Sequence, residues 1–139
     1  MKAVVGLAIF LCLWLSSCNS EPSLQKYFVE NTENKNFIAL DISSSILNVD
    51  QAKLSLEQQQ ALQSFEKINI LAFKRNPNNT AEFETERAKL NGILKNPKYQ
   101  QLMKIGSGKE GASVSFVGAD EHIEEFVLFA NQKETGFAV

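Results

Sequence analysis

The first eighteen residues constrain the fold most, because they determine how much of the chain remains to build a domain. Lys2 is followed by an uncharged, largely apolar run from Ala3 to Leu15, and small residues then lead to Cys18. A basic start, a short apolar core and small residues before a cleavage point are typical of a secretory signal peptide. The apolar run is shorter than the roughly 20 residues that a permanent membrane-spanning helix needs. We therefore predict a signal peptide over residues 1–17.

The segment Leu15-Ser16-Ser17-Cys18 resembles the bacterial lipobox. That resemblance implies that the Cys18 thiol receives a diacylglyceryl group, that a peptidase cuts before it, and that the new amino end is acylated with a fatty acid such as palmitate. The alternative is an ordinary signal peptide cut elsewhere, with Cys18 incidental. We predict lipidation of Cys18, with residues 18–22 as a short tether that holds the domain close to a membrane.

Composition limits what the remaining domain, residues 23–139, can contain. Both cysteines, Cys12 and Cys18, lie in the leader or at its end, so the domain has no disulfide and no cysteine metal ligand. His122 is its one imidazole, which excludes a multi-histidine metal site. The net charge is −2 and both signs are interspersed, which argues against a nucleic-acid partner. The length allows one domain, and we expect no cofactor and no metal.

Two apolar segments with a helical pattern between them predict the first part of the fold. Phe37–Ile42 and Ile68–Phe73 have the length and composition of strands, and both faces of the first carry apolar residues. We therefore predict that this first strand lies in the interior of a sheet. Ser55 opens a capping box, and the apolar stripe of the helix that follows it ends at Phe65. Strand, helix and strand in succession predict a parallel, right-handed crossover.

Two further helices are indicated. Ser23 is a candidate N-cap for a helix that directs Tyr27 inward. The longest helix is predicted to open at Asn79 or Thr80 and to stop at Asn96-Pro97. Its buried stripe consists of Phe83, Leu90, Ile93 and Leu94.

From Tyr99 onward the pattern changes to short strands separated by turns, which predicts an antiparallel meander. The predicted strands are Leu102–Ile105, Ala112–Phe116, Ile123–Ala130 and Gly136–Val139. The fold class is therefore α+β, in two layers, with a strand-helix-strand crossover and a long helix followed by the meander. Since the last strand is apolar to its end, we expect it to leave an open edge. We also expect the sequence to be a fragment that lacks a segment completing this strand and adding a helix.

One motif resembles a phosphate-binding loop and fails as one. In the glycine-rich segment Gly106–Gly111, the position after Lys109 is Glu110, where magnesium binding needs Ser or Thr. A strand follows it, whereas the phosphates need a helix N-terminus. We interpret the segment as a hairpin turn.

Three other groups of residues could carry chemistry, and each has a simpler explanation. Asp41 precedes Ser43-Ser44-Ser45, but a serine nucleophile needs a base, so turn chemistry is favoured. An acidic cluster around the one histidine could bind a divalent ion or act as an acid/base pair, and a solvated turn is favoured; it comprises Asp120, Glu121, His122, Glu124 and Glu125. A set of aromatic residues could line a groove, and core packing is favoured; it comprises Tyr27, Phe28, Phe65, Phe73 and Phe83. We predict no catalytic, cofactor-binding or metal-binding residue.

Three segments carry a family resemblance: Phe37–Ile42, Lys95–Met103 and Ile123–Phe129. In these segments the chain resembles a family of uncharacterised lipoprotein domains, mostly from Bacteroidota, called domain of unknown function 4252. The resemblance implies a small, exported and lipid-anchored protein whose chain continues past a strand like Gly136–Val139. It implies no activity and no catalytic residues.

Two classes of function remain open. The first is a non-catalytic envelope module that binds a protein or another ligand beside the membrane, and we favour it because thiol nucleophiles, histidine pairs and a working phosphate-binding loop are absent from the sequence. The second is an envelope hydrolase with an unrecognised carboxylate site. A binding module predicts an exposed apolar patch or groove on the open face of the sheet, whereas an enzyme predicts a pocket with convergent polar groups. Since residues 19–22 lack a run of acidic residues, we expect an outer-membrane location facing the periplasm.

Overall fold

The computed structural model describes residues 21–43, 53–56, 59, 66–107, 110–119 and 122–139. Within these residues the fold is α+β and consists mostly of sheet, with two helices and one six-stranded antiparallel sheet. The helices are α1 (Leu24–Asn31) and α2 (Thr80–Leu94). The strands are β1 (Phe37–Ser43), β2 (Lys67–Lys74), β3 (Gln100–Ser107), β4 (Glu110–Ala119), β5 (His122–Gln132) and β6 (Gly136–Ala138).

The strand order is β1-β2-β6-β5-β4-β3, and every neighbouring pair is antiparallel. Strands β3 to β6 follow one another across the sheet, so the predicted meander is confirmed. The predicted open edge beside Gly136–Val139 is wrong, because β6 is inserted between β5 and β2 and pairs with both. Val139 extends this pairing, since its carbonyl accepts from the Leu71 amide at 2.8 Å and its amide donates to the Leu71 carbonyl at 3.0 Å.

Two predictions about β1 are also wrong. It pairs antiparallel with β2, from Phe37 opposite Phe73 to Ser43 opposite Lys67, so the two strands do not form a parallel crossover. It is an edge strand and not an interior one. The segment that connects the two strands is long enough for either an antiparallel or a parallel return. The apolar residues of β1 describe the composition of its two faces, and they do not determine whether the strand lies at the edge or in the interior of the sheet. The predicted helix after Ser55, up to Phe65, lies largely outside the described residues.

Both described helices form as predicted. The Ser23 hydroxyl accepts a hydrogen bond from the Lys26 amide at 3.2 Å and caps α1, and α2 begins at Thr80. Asn79 stabilises the preceding turn instead of capping α2, since its side chain accepts from the Asn76 amide and donates to the Lys74 carbonyl. The predicted stripe of α2 faces the core: Phe83, Leu90 and Ile93 are buried, and Leu94 packs against them.

Aromatic side chains join the helices to one face of the sheet. Phe37, Phe73 and Phe137 are direct partners on β1, β2 and β6, with ring centroids 5.0 Å apart for the first pair and 5.5 Å for the second. Phe83 of α2 lies 5.9 Å from Phe73 and 6.0 Å from Phe137. Burying each of these rings stabilises the fold by about 1.5–3 kcal/mol. Core packing is thus confirmed for the predicted aromatic set, including Tyr27 and with Phe28 packed at its margin, except for Phe65, which lies outside the described residues.

Gly136 allows β6 to enter the sheet. Its φ is +135°, and a Cβ at this position would lie 1.9 Å from the Phe73 carbonyl oxygen. Glycine adopts this conformation without a steric penalty, and it alone permits so close an approach of two backbones.

Candidate interaction surface on the sheet

The face of the sheet that points away from the phenylalanine ring cluster is built from the alternate residues of the same strands. One row of this face crosses all six strands, each residue opposite the next. It runs Ile38, Ala72, Ala138, Ala130, Ala112, Ile105. We call these six residues the alanine row. Four small side chains at its centre and a large one at each end make it a depression.

Larger apolar side chains border the alanine row on one side. Leu40 is opposite Ile70 on the β1–β2 pair, and Leu128, Val114 and Met103 are successive partners across β5, β4 and β3. We call the alanine row, this second row, and Phe126 beyond it the open face; Phe116, the partner of Phe126, is buried. Several of its large side chains are about half or more exposed: Ile38 and Leu40 at 51%, Met103 at 51%, Ile105 at 60%, Phe126 at 47% and Leu128 at 59%.

The exposed apolar residues of the open face are contiguous. Neighbouring strands lie about 4.8 Å apart and residues on one face recur every 6.6–6.8 Å, so the positions of the open face, six in the alanine row, five in the second row and Phe126, cover roughly 400 Å². Monomeric soluble proteins rarely expose a contiguous apolar patch above a few hundred Å² unless it serves a function. The open face therefore has the size of an interaction surface.

A shallow trough of about 660 Å³ lies over the part of the alanine row from Ile38 on β1 to Ala130 on β5. Its apolar floor comes from this row, and Lys74, Glu110 and Gln132 line its polar margin. Lys74 and Glu110 are exposed, and they lie on β2 and β4, on either side of the two central strands. The trough thus combines an apolar floor with one positive and one negative side chain placed symmetrically about the centre of the sheet.

Among the residues that the structure describes, the possible catalytic groups on β1 and those on β5 are far apart in the sheet. Asp41 is exposed on edge strand β1, and Ser44 and Ser45 lie outside the described residues. His122 and Glu124 are exposed on β5, which is three positions away from β1 in the strand order. Glu125 accepts a hydrogen bond from Gln25 Nε2 of α1 at 2.9 Å and so joins helix to sheet.

Other predicted sites fall in two categories. Gly106 and Gly111 are direct partners of the antiparallel β3–β4 pair, so the hairpin interpretation of the glycine-rich segment is confirmed. Asp120, Glu121 and Cys18 lie outside the described residues. Among the residues that the structure describes, no group of three or more His, Cys, Asp or Glu side chains is arranged to hold a metal ion.

The sequence reasoning missed a buried polar pair between the two helices. Glu86 and Tyr27 are only 6% and 3% exposed, and Lys89 Nζ lies 2.6 Å from Glu86 Oε1. The Tyr27 hydroxyl and Glu86 Oε2 are buried without a hydrogen-bond partner of good geometry. Burial, and secondly the Glu86 charge, raise the pKa of the Tyr27 phenol well above its usual value. Tyr27 and Glu86 thus place one buried polar side chain from each helix at the contact between α1 and α2.

A groove of about 640 Å³ separates α1 from α2 above this pair. Lysines form much of its rim, but Lys89 is bound to Glu86 and Lys26 lies 3.8 Å from Glu30. The position of Glu86, three residues after Phe83 and four before Leu90, was the available sequence signal, because it places this carboxylate within the buried stripe of α2.

No helix in the described part of the chain is both long and apolar enough to cross a membrane. The fold and its surface define a small α+β domain with an aromatic core on one side of its sheet and an apolar surface on the other.

The family model for domain of unknown function 4252 matches residues 27–139, so the chain belongs to that family, and the resemblance inferred from sequence is confirmed. No curated protein and no solved structure matches the chain significantly.

Proposed function

We propose that the protein is a membrane-anchored envelope lipoprotein whose domain is a non-catalytic interaction module. Its binding surface is the open face, and its partner is a protein of the envelope, not a nucleic acid. The observation that carries this proposal is the contiguous exposure of large apolar side chains on that face, with Leu128 and Ile105 exposed at 59% and 60%. Covering such side chains is favourable by about 25 cal/mol per Å² of apolar surface.

The anchor in this proposal is a lipid on Cys18. Residues 18–22 can span at most about 17 Å when extended, and the chain then enters α1, where the Leu24 amide donates to the Tyr99 hydroxyl at 3.3 Å. The domain would therefore stand close to the lipid surface, at the outer membrane and facing the periplasm. We further infer that the domain has two layers, with both described helices on the aromatic side of the sheet, which leaves the opposite side for binding.

The dispersion of the ionisable groups supports a non-catalytic role over a hydrolase. Asp41 lies on β1, His122, Glu124 and Glu125 lie on β5, three positions away in the strand order, and the other candidate carboxylates lie outside the described residues. Glu86, which is the buried carboxylate among the residues that the structure describes, is bound to Lys89. A hydrolytic site would need such groups to converge within reach of one bond.

The lipid anchor is tested by metabolic labelling with a radioactive fatty acid. Wild-type protein is expected to carry the label and the Cys18→Ser variant to lose it, while both are expressed at comparable levels. Equal label in the two proteins would contradict lipidation of Cys18.

The interaction surface is tested by the reactivity of single cysteines toward a small maleimide in intact cells. Leu128→Cys reports on the open face, and Val29→Cys is the matched control, because Val29 is an exposed apolar residue of α1 at 78%. Each rate is compared with the rate in the same variant after purification and dilution. We expect Leu128→Cys to be protected in cells and reactive when diluted, and Val29→Cys to react in both conditions.

Equal reactivity of the two variants in cells would contradict the proposal, because the open face would then be uncovered in its native setting. Protection of Leu128→Cys that persists in the dilute monomer would contradict it as well, since the cover would then belong to the same chain.

A further inference from the structure

We propose that the occupant of the open face is a second copy of this chain, related by a two-fold axis that runs parallel to the strands between β5 and β6. This proposal deepens the proposed function and rests on it. The product is a sandwich of two six-stranded sheets, with the phenylalanine cores outward and the open faces in contact.

The strand order makes the open face self-complementary. The centre of the order β1-β2-β6-β5-β4-β3 falls between β6 and β5. Rotation about an axis at that centre places β6 over β5, β2 over β4 and β1 over β3 of the second copy. The alanine row then lies on itself, with Ala138 facing Ala130, Ala72 facing Ala112 and Ile38 facing Ile105.

The row of larger apolar side chains beside the alanine row also faces its own counterpart in the second copy. Leu40 of β1 faces Met103 of β3 in the second copy, and Ile70 of β2 faces Val114 of β4. Two packed sheets usually cross at about 30°, which preserves the pairs near the axis and displaces those at the edges. The central strands therefore supply the best-defined contacts.

Charge supports the same arrangement. Lys74 is opposite Gly136, which in turn is opposite Gln132. Gly111 is opposite Asn131, so Glu110, one residue earlier, is at the level of Gln132. Lys74 and Glu110 therefore belong to one level of the sheet. Because the rotation places β2 over β4, the Lys74 ammonium of each copy faces the Glu110 carboxylate of the other, whose Oε1 also accepts a hydrogen bond from the Lys133 amide of its own chain at 3.2 Å. Two equivalent ion pairs result, both at the same margin of the interface. A lipid surface or an arbitrary apolar partner would gain nothing from this placement of opposite charges.

The available area suits a weak association. The open face covers roughly 400 Å² as a plane, and side-chain relief increases this toward the roughly 600 Å² per partner at the lower end of specific interfaces. With a predicted lipid anchor on each chain, both copies also share one membrane, which raises their effective concentration.

The arrangement is tested by crosslinking in intact cells that co-express two differently tagged full-length chains. One chain carries Ala138→Cys and the other Ala130→Cys, and a short bifunctional maleimide joins them if they face one another. Ala72→Cys with Ala112→Cys is a second pair, in case the first disturbs β6. Two chains that both carry Val29→Cys provide the control. We expect crosslinked product from both open-face pairs and little from the control.

Charge reversal makes the test specific. In the Ala72→Cys and Ala112→Cys background, Lys74→Glu in both chains, or Glu110→Lys in both chains, is expected to lower the crosslinked fraction several-fold. Combining the two reversals restores the ion pairs in opposite sense and is expected to restore crosslinking. Product that is insensitive to either reversal, or equally abundant in the control, would overturn the two-fold arrangement.

The outcomes separate this proposal from the function on which it rests. Absence of crosslinks while Leu128→Cys remains protected in cells would show that another molecule covers the open face, so the second copy would be excluded and the interaction module retained. Absence of crosslinks together with a reactive Leu128→Cys would overturn both.

Discussion

The two faces of the sheet are built from adjacent residues of the same strands, but one face is buried under the helices and the other is exposed. On one face, Phe37, Phe73 and Phe137 form a transverse row under the helices. One residue further along β1 and β6, and one residue back along β2, the other face has Ile38, Ala138 and Ala72 at the corresponding level. Both rows are apolar, so hydrophobicity alone does not distinguish core from surface. Side-chain size does, because large rings fill the space below the helices and alanines leave a trough.

The difference between the faces predicts unequal costs for truncating side chains. Phe73→Ala removes a ring that is 2% exposed and in contact with Phe37, Phe83 and Phe137. We expect a loss of about 3–5 kcal/mol in the free energy of unfolding. Leu128→Ala on the open face removes a side chain that is 59% exposed, and we expect less than about 1 kcal/mol.

Urea denaturation of dilute protein measures both values, with the m-value as a check that the unfolding transition is unchanged. Comparable losses in the two variants would mean that both faces are packed in the monomer, and the distinction between them would be wrong.

A smaller effect on stability is expected from the buried pair of Tyr27 and Glu86 between the two helices. The pKa of Tyr27 is raised in the folded protein, so the folded state retains a proton that the unfolded chain releases above about pH 10. Stability from this group is therefore fully present below pH 10 and is lost as the pH rises beyond it. We expect Tyr27→Phe to flatten the alkaline loss of stability and to change stability at pH 7 little, because the hydroxyl lacks a good hydrogen bond.

Tyr99→Phe is the matched control, since it leaves the Tyr27–Glu86 contact in place and removes only the acceptor of the Leu24 amide. Denaturation between pH 8 and 11 compares the variants. A wild-type alkaline slope in Tyr27→Phe would show that this buried phenol does not govern it.

Local patterns in the sequence predicted most of the elements and much of the core. The cap at Ser23, the start of α2 at Thr80, the stripe through Phe83 and the meander were all readable, because each depends on residues close together in the chain. The errors concern β1 and β6, whose positions depend on distant pairing. The three residues of β6 join β2 to β5. Phe137 of β6 pairs with Phe73, which lies more than sixty positions earlier in the sequence.

The apolar character of the candidate surface could be predicted from the sequence, but the residues that form it could not. A binding module was expected to expose an apolar patch on its sheet, and the open face has that character. Its members could not be identified, because Ala72, Ala112 and Ala130 form a row only once the register of three strand pairings is known. The register also determines that Lys74 and Glu110 share a level.

The central claim is that the open face serves association and not the folding of the monomer. The most direct test replaces Ile38, Ile105 and Leu128 together by threonine and measures the free energy of unfolding at a concentration where the protein is monomeric. We predict a change of less than about 1–2 kcal/mol for the triple variant, together with loss, in cells, of the maleimide protection of an Ala72→Cys residue introduced into the same variant. A loss of several kcal/mol with the monomer partly unfolded would show that these side chains are buried in the monomer and would contradict the account.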